Sequence, residues 1–244
     1  WARAFGRTHE AKRTLKTAYP RAALEGQIYS GLTDLCAAKL GRELKREDGS
    51  TTRISRCLID ANWGQSTNVV YQFCRESPFA AQLTPSHGRW VGAMSRQFHE
   101  YKRTRGDRVG LNWRIPVGSG RRAIRYVLFD ANAWKTFIRQ RITTTIGDPG
   151  ALTLFKGSPE DHRMIAEHLV SEKRTTVEAK GRSVDEWRLG SVGLDNHGLD
   201  CVVGCAVAAS IEGVTVGGVG TGPAKPVKRR IKMSEIIAQK AQGR

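Results

Sequence analysis

Short apolar runs alternate along this chain with segments of helical period, and this alternation constrains the fold more than any other feature. The run at residues 56–60 ends in an aspartate and is closed by a turn at residues 61–64. Residues 66–75 then have a helical pattern that begins with a serine able to cap it. A second strand-like run at residues 124–130 also ends in an aspartate, and residues 131–142 follow it with a helical pattern. Strands that alternate with helices predict a mixed α/β sheet flanked by helices.

Weaker patterns fill the rest of the chain. The two valines at positions 69 and 70 would suit a strand as well as a helix. Further predicted elements are a loose strand pair within residues 1–17, a helix within 22–44, a strand at 79–83 stopped by Pro85 and Gly88, a strand at 151–155, a helix that starts at Ser158-Pro159, and a hairpin at 177–189 that turns at Lys180-Gly181.

Length and termini suggest one main domain within a longer protein. The chain has 244 residues and begins with Trp1 rather than Met, so we interpret it as a fragment. Residues 1–212 carry the predicted fold, while residues 213–244 shift to Gly, Pro and basic residues and are predicted to be a flexible basic tail. No run of about eighteen apolar residues occurs, which argues against a membrane span.

Charge points to a polyanionic partner. Forty Lys and Arg against 23 Asp and Glu give a formal net charge of +17, and the isoelectric point is near 10.2. A surface this basic attracts nucleic acid, although a ribosomal-type or merely basic protein would show the same balance.

Residues 89–122, called the basic segment below, concentrate this charge among aromatic residues. Their pattern has no clean period and predicts a long loop. A loop that combines cations with aromatic side chains suits contact with a phosphate backbone. The residues predicted to bind DNA are Arg96, Lys102, Arg103, Arg105 and Arg108.

Cysteine usage indicates a reducing compartment. The spacing of the five cysteines, at positions 36, 57, 74, 201 and 205, does not match paired zinc ligands. We interpret them as small core residues of an intracellular protein.

Two carboxylates are placed where they could carry chemistry. Asp60 ends an apolar strand, and Asp200 lies in the first turn of a very apolar helix that is predicted to be largely buried. If the two met across the fold, they could hold magnesium or manganese against a phosphodiester. The ordinary alternatives are a turn or cap role for Asp60 and a dipole-complementing role for Asp200. Asp130 directly precedes its helix, so capping is its better interpretation.

At these positions the sequence resembles the large subunit of phage terminases of the gpA type. Residues 57–64 (CLIDANWG) with 66–74 (STNVVYQFC) are similar to that family's middle motif, and residues 86–88 (SHG) stand where it has a Lys-Gly. Residues 196–209 (NHGLDCVVGCAVAA) resemble its closing motif, a Leu-Asp-Cys that begins the last helix. His87 replaces the family's lysine, and Asn62 replaces a glycine of its turn.

The resemblance implies an RNase H-like nuclease that cuts double-stranded DNA with Mg²⁺ or Mn²⁺ in the host cytoplasm. By the same carry-over, Asp60 is the second metal-binding acid and Asp200 the third. The first acid would lie on a strand before Trp1, and ATP would serve only an upstream motor domain. Portal or procapsid and the small terminase subunit are the implied protein partners.

Three rival interpretations remain open from the sequence. One is a degenerate, metal-free remnant that holds DNA by charge. Another is a different RNase H-like enzyme, such as a transposase or resolvase, and a third is a structural packaging protein. Strand-transfer products would favour the second, and salt-insensitive binding to portal or capsid protein would favour the third.

Overall fold

The protein is described from a computed structural model that covers residues 14–46, 48–62, 64–118 and 124–214. Its helices are α1 (Leu15–Ala18), α2 (Leu24–Leu40), α3 (Thr67–Glu76), α4 (Ala131–Thr143), α5 (Pro159–Leu169) and α6 (His197–Ile211). Its strands are β1 (Leu44–Lys45), β2 (Thr51–Thr52), β3 (Cys57–Asp60), β4 (Leu83–Arg89), β5 (Arg108–Gly110), β6 (Trp113–Ile115), β7 (Val127–Asp130), β8 (Glu172–Ala179) and β9 (Arg182–Leu189).

A five-stranded mixed sheet organises the fold. Its strand order is β3-β4-β7-β6-β5, with β3, β4 and β7 parallel and the remaining pairs antiparallel. The parallel pair β3 and β4 is joined through α3, which is the crossover that parallel strands require. The predicted α/β architecture, a mixed sheet flanked by helices, is therefore confirmed.

Helices pack on both faces of the sheet, so its central strands β4 and β7 are largely buried. On one face, α4 and α6 pack against a cluster that includes Val127 and Phe129. On the other face, α2 and α3 pack against a second cluster. Leu58 packs on the α4 and α6 face, whereas Cys57 and Ile59 pack on the α2 and α3 face. Strand alternation then places Asp60 on the same face as Leu58 and α6.

Polar contacts at both ends hold α6 against this face. At its start, the backbone N–H of Gly198 donates to His168 Nδ1 at 2.9 Å, and a Cβ at position 198 would collide with Ile165 and His168. At its end, Arg56 Nε donates to Glu212 Oε1 at 2.5 Å. These contacts fix where the first turn of α6 lies relative to β3.

The prediction for the second parallel strand was wrong in position. Instead of ending before Pro85, β4 runs from Leu83 to Arg89 and passes through both Pro85 and Gly88. A proline is tolerated because the ladder with β7 begins only at Ser86, so Pro85 lies where β4 pairs with β3 alone.

Three other local predictions were also wrong. Residues 15–18 form helix α1, capped by Thr14, rather than part of a strand pair. Residues 151–155 form no strand, since the side chains of Leu154 and Phe155 are exposed and a strand needs a neighbouring ladder. The basic segment is not wholly a loop, because β5 and β6 within it extend the sheet. The remainder of the predicted strand pair, residues 1–13, lies outside the described residues.

The strongest local signals were confirmed. Helix α5 begins with Ser158 as cap and Pro159 at its first position, and Ser158 and Asp161 bond reciprocally. The hairpin of β8 and β9 turns at Lys180 and Gly181, which both have positive φ (52° and 70°), as a tight two-residue hairpin requires. Residues 69 and 70 lie in helix α3.

The apolar composition of α6 misled the prediction of its burial. Leu199, Val203 and Val207 are buried, but Cys201 and Cys205 are exposed on the opposite side of the helix. The interpretation of all five cysteines as core residues was therefore wrong for these two, because one face of the helix has no cover in the described part of the fold. Helix α6 ends at Ile211, and the predicted tail beyond residue 214 lies outside the described residues.

Candidate metal centre

Asp60 lies at the carboxyl end of β3 and is exposed. Its Oδ1 accepts a hydrogen bond from the backbone N–H of Asn62 at 3.0 Å, which closes the turn after the strand. Thr67 Oγ1 donates to the Ala61 carbonyl at 2.8 Å and ties the same turn to α3. Ser66 stands at the helix start as expected, but its side chain makes no capping bond. The carboxylate of Asp60 is thus held by a turn while its outer surface stays open.

Asn62 connects this turn to the neighbouring strand. Its Nδ2 donates to the Gly88 carbonyl at 2.9 Å, so its Oδ1 faces His87 and accepts from Nδ1 at 2.9 Å. His87 Nε2 then accepts from the Tyr71 hydroxyl at 2.9 Å. Asn62 and His87 are therefore in direct contact. Together they form a relay of hydrogen bonds from α3 to the Asp60 turn.

Asp200 enters the same region from the first turn of α6. Its side chain is about half exposed (51%), and its Oδ1 lies 3.1 Å from Lys135 Nζ on α4. Desolvation by the surrounding protein raises the pKa of Asp200, the ammonium of Lys135 opposes that shift, and the charges of Glu172 and Asp60 add to it.

The two predicted acids share one side of the sheet. Leu58, two residues before Asp60, packs in the same cluster as Leu199, the residue before Asp200. The carboxylates are close enough for the charge of Asp60 to contribute to the raised pKa of Asp200. Two residues that are 140 positions apart in sequence thus lie on the same side of the sheet.

Lys135 and Glu172 belong to this site and were not identified from the sequence. Lys135 Nζ lies 2.6 Å from Glu172 Oε1, and Asn196 Nδ2 donates to the same oxygen at 2.7 Å. The side chains of Lys135 and Glu172 are only 11% and 3% exposed. A signal for Lys135 was present, because it stands three residues before Ile138 and so on the apolar stripe of α4. Glu172 opens a strand of mostly exposed residues and gave no signal.

Asp130 has the capping role that its position suggested. It is 4% exposed, and its Oδ1 accepts from the backbone N–H of Ala133 at 3.1 Å at the start of α4. Burial raises the pKa of Asp130 to about 6, although the bonds from the α4 backbone act in the opposite direction.

The predicted DNA-binding residues fall into two groups. The cations of Arg96 and Arg108 already have protein partners, since Arg96 Nη2 donates to the Glu100 carbonyl at 2.7 Å and Arg108 Nη2 to the Ile211 carbonyl at 3.2 Å. Lys102, Arg103 and Arg105 are exposed on the surface of the basic segment. The second group is therefore better placed to meet a phosphate backbone.

The hairpin of β8 and β9 supports one end of the basic segment. Arg182 Nε donates to the Ala93 carbonyl at 2.8 Å, its Nη2 donates to the Ser95 carbonyl, and its Nη1 pairs with Glu100 at 2.8 Å. Lys180 Nζ donates to the Met94 carbonyl at 3.2 Å. Residues 93–100 are thus held in place by cations of the hairpin rather than left free.

A family comparison decides what kind of domain this is. A sequence model of the endonuclease domain of terminase large subunit gpA matches residues 6–218 of the 244-residue chain. The chain belongs to this family. The resemblance read from residues 57–74 and 196–209 is thereby confirmed for the family as a whole. Comparison with curated proteins and with solved structures gave no significant match.

The oxygen donors of the two predicted acids can be compared with the ligand preferences of divalent metals. The carboxylates of Asp60 and Asp200 are hard oxygen ligands of the type that Mg²⁺ and Mn²⁺ prefer. Lys135 lies between Asp200 and Glu172, so one ammonium faces two carboxylates there. Within the described residues, no group of three or more His, Cys, Asp or Glu side chains is arranged to hold a metal ion.

The described part of this gpA domain also bears on the membrane question. None of its helices is both long enough and apolar enough to span a bilayer.

Proposed function

We propose that this domain cuts double-stranded DNA by metal-dependent hydrolysis, with Asp60 and Asp200 holding Mg²⁺ or Mn²⁺. The observation that carries the proposal is the convergence of these two acids, from β3 and α6, in a chain of the gpA endonuclease family. The bound metal supplies an activated water and charge stabilisation for the leaving oxygen.

The chain's own residues orient this chemistry. The turn bond from the Asn62 N–H holds Asp60 by Oδ1, and the relay through His87 and Tyr71 keeps the turn in register with β4. Lys135 holds Asp200 by one oxygen. One carboxylate oxygen of each acid is thus held by a protein contact before a metal binds. This lowers the free-energy cost of ordering the two side chains around the metal.

A third acid can reach the site along the open edge of β3. Among the described strands, β3 pairs on one side only, with β4. Its other edge leaves backbone groups that a further strand could pair with. We propose that this edge receives the strand that carries the family's first carboxylate.

The basic segment supplies the proposed contact with DNA. Lys102, Arg103 and Arg105 are exposed, and cations of this kind meet phosphates without reading sequence. In the complete terminase we expect ATP to serve the motor, with portal or procapsid and the small subunit as partners, all in the host cytoplasm.

Nicking of supercoiled plasmid in Mn²⁺ tests the function. It is measured with this chain, with a longer form extended at its N-terminus by a strand that carries the family's first carboxylate, and with Asp200→Asn in each. Cutting that Asp200→Asn abolishes supports the proposal, and cutting by the longer form alone also supports the strand added beside β3. If both forms bind DNA and neither cuts, the domain is a remnant that holds DNA by charge.

A further inference from the structure

The positive charge of Lys135 already lies beside Asp200, the carboxylate that a metal ion would bind. Its ammonium lies between two acids, 3.1 Å from Asp200 Oδ1 and 2.6 Å from Glu172 Oε1. Each acid comes from a different element, α6 and β8, while Lys135 comes from α4. The lysine therefore bridges the carboxylate face of the site to the base of the hairpin.

Glu172 is the part of this bridge that has no obvious structural need. Its Oε1 accepts from both Lys135 and Asn196, but its Oε2 is buried and has no hydrogen-bond partner among the described residues. An unpaired buried carboxylate oxygen is costly, so such a group calls for an explanation beyond packing. The explanation that fits its position is that Glu172 draws the Lys135 ammonium away from Asp200.

We infer that Lys135 is a built-in competing cation whose hold on Asp200, balanced by Glu172, sets the affinity of the site for divalent metal. The inference rests on the proposed function, since it concerns the same site. A positive charge 3.1 Å from a ligand oxygen opposes a second cation at that oxygen. Glu172 weakens this opposition by sharing the ammonium. Lys135 and Glu172 are thus positioning residues that act through Asp200.

The two residues should then act in opposite directions. Lys135→Met removes the competing charge, so Mn²⁺ should bind more tightly, by about fivefold if water screens the interaction to the strength of about 1 kcal/mol that it has in bulk solvent. Glu172→Gln keeps the shape and the acceptor for Asn196, but leaves the ammonium to Asp200 alone. It should weaken Mn²⁺ binding by a similar factor. Lys135→Arg keeps the charge and should stay within about twofold of wild type.

Mn²⁺ affinity is measured directly, by electron paramagnetic resonance of the free ion. The measurement uses each of the two forms of the protein that the plasmid assay uses. Asp200→Asn serves as the control that removes the ligand, and circular dichroism reports folding. Because Lys135→Met leaves Glu172 charged and buried without its partner, the double variant Lys135→Met with Glu172→Gln is included. Its affinity should lie between those of the two single variants.

The outcomes distinguish failure of the inference about Lys135 and Glu172 from failure of the proposed function. Opposite shifts for Lys135→Met and Glu172→Gln support the inference. If wild type binds Mn²⁺ and loses it with Asp200→Asn, while all lysine and glutamate variants stay within twofold or weaken together, the inference is overturned and the proposed function stands. If wild type shows no Mn²⁺ binding that depends on Asp200, the proposed function fails and the inference fails with it.

Discussion

The same tripeptide, Asp-Ala-Asn, ends two parallel strands of this sheet, at residues 60–62 and at residues 130–132. In both places an apolar strand precedes it and a helix follows. At the first, Asp60 and Asn62 are exposed at the end of β3. At the second, Asp130 is 4% exposed and Asn132 is 1% exposed.

The two asparagines have different partners. Asn62 bonds to Gly88 and His87, both on the adjacent strand β4. Asn132 donates to the Val91 carbonyl at 3.1 Å and accepts from the backbone N–H of Trp187 at 3.0 Å, so it joins the basic segment to the hairpin. The hairpin and residues 91–100 cover the end of β7, whereas the described residues leave the end of β3 open.

Burial by neighbouring residues, rather than the local sequence, therefore separates a structural aspartate from a candidate metal ligand. The carboxylate of Asp130 is committed to the first turn of α4 and closed off from solvent. The carboxylate of Asp60 has one turn bond and is exposed to solvent.

Replacing each aspartate by asparagine tests this division most strongly. Asp60→Asn should lower DNA cleavage by at least about 100-fold, because even groups that only orient metal ligands typically give 10- to 100-fold losses. Asp130→Asn keeps a good capping residue and should leave cleavage within about threefold of wild type. Rates are measured by plasmid nicking at saturating Mn²⁺. Equal losses in the two variants would break the comparison.

The asparagines should show the reverse order in stability. Asn132→Ala leaves the Val91 carbonyl and the Trp187 N–H buried without partners, and should cost about 3 kcal/mol of unfolding free energy. Asn62→Ala frees groups that water can reach and should cost less than about 1 kcal/mol. Urea unfolding followed by tryptophan fluorescence gives both values. A larger loss for Asn62→Ala than for Asn132→Ala would contradict the assignment of roles.

The buried aspartate should also leave a mark on the pH dependence of stability. Since the pKa of Asp130 is raised from 3.8 to about 6 in the folded protein, the folded state holds its proton more tightly than the unfolded state. The stability that this proton contributes is therefore fully present below pH 4, and it is lost as the pH rises through about 6, with a total of about 3 kcal/mol.

Asp130→Asn isolates this contribution from the other acids. Subtracting its unfolding free energy from that of wild type, at several pH values, should give a difference that changes between pH 4 and 6 and is level above pH 7. A flat difference across the whole range would show that Asp130 is better solvated than its 4% exposure indicates.

The smallest effect concerns the arginines of the basic segment, which divide in the same way. Arg103 and Arg108 are both exposed, but Arg108 also donates to the Ile211 carbonyl at the end of α6. Arg103→Ala should reduce the slope of log affinity against log salt by about 0.9, as for one lost phosphate contact. Arg108→Ala should change that slope by less. Fluorescence anisotropy with a DNA duplex measures both, and a larger change for Arg108→Ala would reverse their assignments.

Strong local signals were readable from the sequence. The start of α5 was visible because a cap, a first-position proline and acidic residues act within one turn. The hairpin turn at Lys180 and Gly181 was visible because its signal also lies within a few neighbouring residues. The path of β4 through Pro85 was not, because the sequence does not show where the neighbouring ladder begins.

The candidate site shows the same limit. Asp60 and Asp200 could be singled out from their places at a strand end and a helix start, and their membership in one site came from the family resemblance. Lys135 and Glu172 could not be paired in advance, because α4, β8 and α6 meet only through packing. The exposure of Cys201 and Cys205 was missed because apolar composition does not say which face of a helix is covered.

The sequence by itself determined the α/β class, the basic character and the gpA motifs, since these depend on local order and composition. Only the tertiary structure decided which Asp-Ala-Asn is buried and which is open, and which lysine sits between Asp200 and Glu172. The physical reason is that burial and charge balance depend on neighbours that are distant in the chain. Two identical tripeptides therefore differ in solvation, and hence in what their carboxylates can bind.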